Sequence, residues 1–281
     1  MIDRTTAETV SLEASSPFEL RAELSKNVPE SFVKQSLQTG DVGFLHSFTT
    51  GSAVDGPGIR LVAWTAGCQF RCLYCHNPDT WNMMNGMAVP LDRAVAELNK
   101  YQHGLKIMNG GFTLSGGEAL MQDRFAVRLL TAARGMGIHT ALDTNGFLGD
   151  RLSDEELDQI DLVLLDIKCW DPERHRNLTA KDVGPVLDFA RRLAQLRRPV
   201  WLRYVLVPDL TDDQGDIDHL AAFAAGLGNV ERVDVLPFHQ MGRYKWEKLG
   251  INYALNATQP PAPQLVKRVC DQFRSAGLKA Y

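Results

Sequence analysis

At 281 residues, 44% hydrophobic and 23% charged, the chain has the size and composition of a globular protein built as one large α/β domain or two small ones. A net charge of −4 excludes the basic footprint that nucleic acid or an anionic membrane surface requires. No apolar run approaches the roughly 18 residues of a spanning helix. The N-terminal residues contain no apolar signal core, so the expected location is the cytoplasm. Five cysteines, an odd number with Cys169 and Cys270 far from the others, argue against a disulfide framework.

In chain order, residues 1–41 are polar and weakly periodic, with one amphipathic turn at "PESFVKQSL", and read as a flexible or loosely docked extension. Residues 42–281 read as a single domain in which strand-like runs alternate with helical ones. The strand runs are "IRLVAWTAG" (59–67), "GFTLSGG" (111–117), "HTALDTNG" (139–146), "LVLLDIK" (162–168), "VWLRYVLVP" (200–208) and "RVDVLPFHQ" (232–240). Helical periodicity marks "LDRAVAELNKYQ", "DRFAVRLLTAARGMG" and "KDVGPVLDFARRLAQLR". A last helix, "PPAPQLVKRVCDQFRSAG", has prolines before it and Gly277 after its periodic part. Six strand-then-helix units imply parallel strands joined by helical crossovers. Polar chemistry stands at the C-terminal end of nearly every strand, where barrel enzymes place their sites. The expected fold is therefore a partial (βα)6 TIM-like barrel of parallel strands with outer helices, plus the polar N-terminal extension.

The stretch "GCQFRCLYCHNPDTW" (67–81) carries Cys68, Cys72 and Cys75. Thiolates bind zinc or iron–sulfur clusters. A closed zinc site needs a fourth protein ligand, and His76, adjacent to Cys75, is badly placed to reach the same tetrahedral ion. A four-iron cluster held by three thiolates leaves one iron open to a substrate or cofactor, as catalytic metal centres do. Residue chemistry alone leaves both readings standing, with the cluster ahead.

Cys68-x3-Cys72-x2-Cys75, with Tyr74 before the last cysteine, resembles the signature of the radical S-adenosylmethionine enzymes. The further segments "VDGPGIR", "CLYCHN.DTW", "SGGEA", "IHT.LDTNGF", "LVLLDIK", "RYVLVP" and "LP.H..G..KW" resemble, in order, the pyruvate formate-lyase activating enzymes, a family of glycyl-radical-enzyme activases. The chain lacks the ferredoxin-like insert of related activases, which points to the compact type. The resemblance implies one [4Fe-4S] cluster on the three cysteines, with S-adenosylmethionine on the open iron. It also implies reductive cleavage to methionine and a 5′-deoxyadenosyl radical, which takes hydrogen from one glycine of pyruvate formate-lyase. Flavodoxin or ferredoxin is the implied reductant, and the implied state is a monomer that docks on a larger partner. No acid–base side chain is then required, so no catalytic residue is expected beyond the cofactor itself.

The same resemblance implies cofactor contacts for Tyr74 and His76 beside the cluster, for Gly116 and Gly117 in "SGGE", and for His239 near the adenosine. Lys168 falls at the carboxylate of S-adenosylmethionine. Asp143, Thr144, Leu164 and Asp166 fall at an adjoining monovalent-cation site. Arg203, inside a run otherwise fit for burial, needs a carboxylate or the cofactor as partner. Asp55, in the turn before the first strand run, falls where the partner's glycine loop enters. Two rivals remain: a radical enzyme with another substrate, and a zinc-stabilised binding protein.

Overall fold

The computed structural model describes residues 28–281. The extension expected over residues 1–41 lies mostly outside them. Its final part is a helix, α1 (Glu30–Thr39), closed by Gly40 in the left-handed conformation. This helix packs on the start of the sheet and on a later helix.

Among the described residues one eight-stranded sheet forms the frame. It opens with β1 (Val42–Ser52), β2 (Arg60–Thr65) and β3 (Met87–Pro90). Helix α2 (Leu91–Ile107), β4 (Gly111–Gly116), α3 (Asp123–Gly135) and β5 (His139–Thr144) follow. Then come α4 (Asp154–Leu157), β6 (Leu162–Asp166), α5 (Pro172–Thr179), α6 (Gly184–Gln195) and β7 (Val200–Leu206). The chain ends with α7 (Gln214–Leu227), β8 (Val230–Pro237), α8 (Arg243–Leu249) and α9 (Pro263–Ser275).

The strand order is β3-β1-β2-β4-β5-β6-β7-β8. From β2 to β8 every pairing is parallel. Neighbours follow chain order with no reversal, so the winding is that of a barrel and not of a doubly wound sheet. The six strands expected from sequence are these six. The barrel stays open: β1 pairs antiparallel with both β2 and β3, an addition that the sequence reading did not contain. At the far edge the C-terminal residues run alongside β8, with Val233 N–H donating to the Lys279 carbonyl (2.8 Å) and Tyr281 N–H to the Val233 carbonyl (3.0 Å). Edge strands are commonly covered in this way.

Side chains alternate across the pleat. One face presents Phe112, Leu114, Leu142, Val163, Leu165, Leu202 and Tyr204 to the helices and forms the main core. The opposite, inner face carries a small separate cluster of Ala141, Leu162 and Leu164, with Trp201 packed on it. Around that cluster the inner face is polar.

Candidate active site

The cysteine loop leaves the end of β2. Gly67 N–H donates to the Thr80 carbonyl (2.7 Å), and Cys75 N–H donates to the Cys72 carbonyl (3.1 Å). Arg71 N–H and Leu73 N–H donate to the carbonyls of Thr179 and Leu178 at the end of α5. The Arg71 guanidinium closes back on the carbonyls of Cys68 and Phe70, each at 2.7 Å, and lies over the Trp81 ring. Trp246 on α8 donates from its indole to the Cys75 carbonyl (2.9 Å), meets Trp81 edge to face and stacks with Tyr253. The loop is thus held from three directions while its thiols stay free of disulfide bonds.

Burial pushes all three thiols up. Cys72 rises to about 12 although Lys168 opposes the shift, and in Cys68 the charges of Cys72 and Glu118 add to the burial. Thiols in such a setting become thiolate ligands only against strong positive charge, which iron supplies. Among the described residues no three His, Cys, Asp or Glu side chains gather closely enough to hold a single metal ion. Three cysteines on one loop, spaced Cys68-x3-Cys72-x2-Cys75, suit a four-iron cluster that keeps one iron open.

Beneath the loop the inner face gathers the charged residues. Lys168 Nζ lies 2.8 Å from Asp166 Oδ2 and over the Tyr74 ring, at 5.7 Å from its centroid. Burial works against the Lys168 charge, but Asp166 and Cys72 outweigh it and hold its pKa above the ordinary lysine value. Arg203 Nη1 reaches Asp143 Oδ2 (2.9 Å) and Asp55 Oδ1 (3.4 Å), which supplies the partner its position in the strand demanded. Asp143 also accepts from Ser115 Oγ (2.6 Å), and burial raises its pKa against the pull of Arg203. Two buried polar atoms here have no protein partner: Asp143 Oδ1 and the Tyr74 hydroxyl. Buried acceptors and donors are rarely left so, and a bound polar ligand beside Lys168 answers both.

Other expected residues fall less simply. Thr144 Oγ1 donates to Glu118 Oε1 (2.7 Å), so its hydroxyl is committed away from Asp143. Leu164 is packed in the inner apolar cluster. The space beside Gly116 and Gly117 is filled by protein backbone: a Cβ on Gly116 would stand 2.2 Å from the Thr65 nitrogen, and one on Gly117 2.5 Å from the Gly67 oxygen. These glycines let β4 close onto β2. His76 and His239 meet edge to face, with ring centroids 4.8 Å apart, and burial, followed by His239 and Lys245, lowers the His76 pKa.

Sequence reasoning took Glu118 only as a residue that tunes the "SGGE" loop, and it missed the contacts of Lys245, Asp79 and His46. Glu118 is buried and accepts from Leu120 N–H (2.9 Å), Asn145 N–H (2.8 Å) and Thr144, so it joins "SGGE" to "DTNG". Lys245 on α8 binds Asn77 Oδ1 (2.7 Å) and Asp79 Oδ2 (3.1 Å), and His46 Nε2 lies 3.0 Å from the same Asp79 oxygen. Despite partial burial, His46 and Lys245 hold Asp79 down at about 2. The segments "HNPDTW" and "KW" carried the only signal for this clasp of α8 over the cysteine loop.

The Radical SAM superfamily profile matches residues 62–221. The pyruvate formate-lyase 1-activating enzyme of Escherichia coli strain K12 is 42% identical over 230 residues, 81% of this chain and 94% of that protein. The pyruvate formate-lyase-activating enzyme of Staphylococcus epidermidis is 43% identical over 232 residues, 80% of this chain and 92% of that one. A crystal structure of a domain of pyruvate-formate lyase-activating enzyme from Bacteroides vulgatus superposes with a TM-score of 0.50 at 26% identity, covering 61% of this chain and 98% of that domain. With the cysteine loop, the open parallel barrel and these similarities together, the chain belongs to the radical SAM superfamily and, within it, to the pyruvate formate-lyase-activating enzymes.

Proposed function

We propose that this protein activates pyruvate formate-lyase by creating a glycyl radical on it. The observation that carries the reading is the arrangement of three unpaired thiols on one pinned loop, which also carries Tyr74, with Lys168 beside Cys72 and over the Tyr74 ring. It is joined by the 42% identity to activating enzymes along 81% of the chain. Cys68, Cys72 and Cys75 hold the [4Fe-4S] cluster. When bound, cluster and S-adenosylmethionine supply one electron and a 5′-deoxyadenosyl radical, which removes hydrogen from the α-carbon of the target glycine.

The chain's own residues bind and orient. Lys168, charged through Asp166, receives the carboxylate of S-adenosylmethionine. The free Asp143 oxygen, with Asp166 and the main chain of Thr144 and Leu164, suits a monovalent cation beside that carboxylate. The "SGGE" turn, with Gly116 and Gly117, receives the amino group, and Tyr74, His76 and His239 line the adenosine side. Arg203 pairs with Asp143 and Asp55 in a buried setting. Asp55, at the rim of the inner face, meets the partner's main chain.

Residues 42–281 form the catalytic domain. Among the described residues no helix is long and apolar enough to cross a membrane. We assign the protein to the cytoplasm, as a monomer served by flavodoxin or ferredoxin as reductant.

The test uses anaerobically reconstituted protein with dithionite, S-adenosylmethionine and pyruvate formate-lyase. The expected result is a glycyl doublet by electron paramagnetic resonance, matched by 5′-deoxyadenosine. Cleavage product without the doublet would transfer the reading to another substrate. Absence of both signals from protein with an intact cluster would overturn it.

A further inference from the structure

Arg60 heads the fully buried side chains by size, at 0% exposure, on the inner face and at the end of β2 away from the cysteines. An arginine so buried demands partners for its donors. Its partners are carbonyls, a hydroxyl and an imidazole. Nη2 donates to the Phe112 carbonyl (2.7 Å) and the His139 carbonyl (3.3 Å). Nη1 lies 3.3 Å from the Pro57 carbonyl and 3.2 Å from His139 Nδ1. Nε donates to Thr113 Oγ1 (3.0 Å), and that hydroxyl donates in turn to the Asp55 carbonyl (2.6 Å).

The surrounding chain is shaped around this guanidinium. A Cβ on Gly111 would stand 2.0 Å from Nη1, and one on Gly56, which has φ +126°, would stand 3.1 Å from Nε. One side chain therefore ties β4 and β5 to residues 55–57, directly at Pro57 and through Thr113 at Asp55. The result is a rim loop with an anchored base and a free tip: Asp55 is 5% exposed, while its neighbour Val54 is 70% exposed. The Asp55 carboxylate, so placed, accepts from Ser52 Oγ (2.6 Å) and faces Arg203.

We propose that Arg60 and Thr113 are positioning residues for the rim loop, fixing the main chain at Asp55 and Pro57 so that an extended segment of the protein substrate is received against the inner face in register with the cofactor. The inference rests on the proposed function. Neither residue touches the cysteine loop, Lys168 or the unpartnered Asp143 oxygen, so cofactor cleavage and hydrogen abstraction from the partner separate in their dependence on them.

The test is Thr113→Val, nearly isosteric, which removes the acceptor for Arg60 and the donor to Asp55, with Thr113→Ser as the variant that keeps the hydroxyl. Without any partner present, hydrogen exchange at the amides of Val54, Asp55, Gly56 and Gly58 is expected to rise about tenfold in Thr113→Val, the factor one lost hydrogen bond carries. Thr113→Ser is expected to restore it. With pyruvate formate-lyase present, KM for the protein substrate is expected to rise, and glycyl radical formed per 5′-deoxyadenosine to fall several-fold. Cleavage without partner is expected to be unchanged. Wild-type exchange in Thr113→Val would overturn the inference, as would faster exchange with unaltered coupling. A matched fall in melting temperature and both reactions that Thr113→Ser does not restore would also overturn it, by showing a structural role alone. If wild-type protein forms no glycyl radical on pyruvate formate-lyase, it is the functional reading that fails, and the exchange result still decides whether Thr113 anchors the loop.

Discussion

The two faces of the parallel sheet are built from the same strands and obey opposite rules. On the outer face Phe112, Leu114, Leu142, Val163, Leu165, Leu202 and Tyr204 are all essentially inaccessible and pack under the helices. On the inner face the alternate positions hold Arg60, Thr113, Ser115, Asp143, Asp166 and Arg203, each engaged in hydrogen bonds or ion pairs. A closed barrel fills its interior with layers of branched apolar side chains. Here the apolar cluster has shrunk to Ala141, Leu162, Leu164 and Trp201, with Val62 buried beside Arg60, and polar and charged side chains stand around them. Leaving the barrel open permits this, because an incomplete barrel has an interior that a ligand and a partner segment can enter. Stability accordingly resides mainly outside and recognition inside, with buried ion pairs at the junction.

Arg203→Met tests that division most severely. It leaves Asp143 and Asp55 buried without their cation, and breaking a buried pair from one side costs about 3–5 kcal/mol. Denaturant unfolding should show the loss at neutral pH and a smaller deficit in acid, where Asp143, whose pKa burial raises, takes up a proton. An Arg203→Met protein as stable as wild type would mean that water, not Arg203, satisfies the inner acids. The outer counterpart is Leu165→Ala, one residue from Asp166 but facing the helices. A cavity there should cost about 2–5 kcal/mol. Per folded molecule, 5′-deoxyadenosine formation should stay near wild type. A selective loss of activity in Leu165→Ala would show that the two faces are coupled more tightly than their separate clusters suggest.

The parts legible in the sequence were those with a local signature. Six strands announced themselves through apolar runs ending in polar residues, and the cysteine spacing, through the family that it resembles, named the metal chemistry. Arg203 and the Asp166–Lys168 pair were conspicuous because charge inside an apolar run needs a partner. β1 was not legible: its second half, "FTTGS", is polar and exposed, and its antiparallel pairing is not followed by a crossover helix. α5 escaped because "PERHRNLT" has almost no apolar stripe, being fixed by Asp171 as its cap and by Pro172 at its first turn. α7, rich in alanine, lacks sharp periodicity and is defined by its caps, Asp213 and Gly228. In the site, contacts across long loops were invisible: Trp246 and Cys75 are 171 residues apart, and no spacing rule connects them. Asp216 is a similar case, a buried acid that accepts from Trp170 N–H (3.1 Å) and Asp171 N–H (2.6 Å) and so fixes the turn after Lys168.

The finest test of the division lies at Glu118, which ties the two turns beside the cysteine loop. Burial raises its pKa from 4.5 to about 7, against the hydrogen bonds from Leu120, Asn145 and Thr144. Between those two values the native state holds a proton that the unfolded chain has released. Raising the pH through this window therefore weakens the native state: the contribution of Glu118 is whole below about 4.5 and lost by about 7. Glu118→Gln imitates the protonated acid and does not titrate. Near pH 5 the variant should lie about 1 kcal/mol below wild type, since its amide oxygen keeps the bonds from Leu120 and Thr144 while its NH2 cannot accept from Asn145 N–H. As the pH rises to 7 the balance should move toward the variant, read as melting temperatures of the two proteins across the range. A gap that stays constant with pH would mean that Glu118 titrates in the fold as it does in the unfolded chain. The three donors would then be holding a carboxylate at every physiological pH, and the link between the two turns would be ionic rather than neutral.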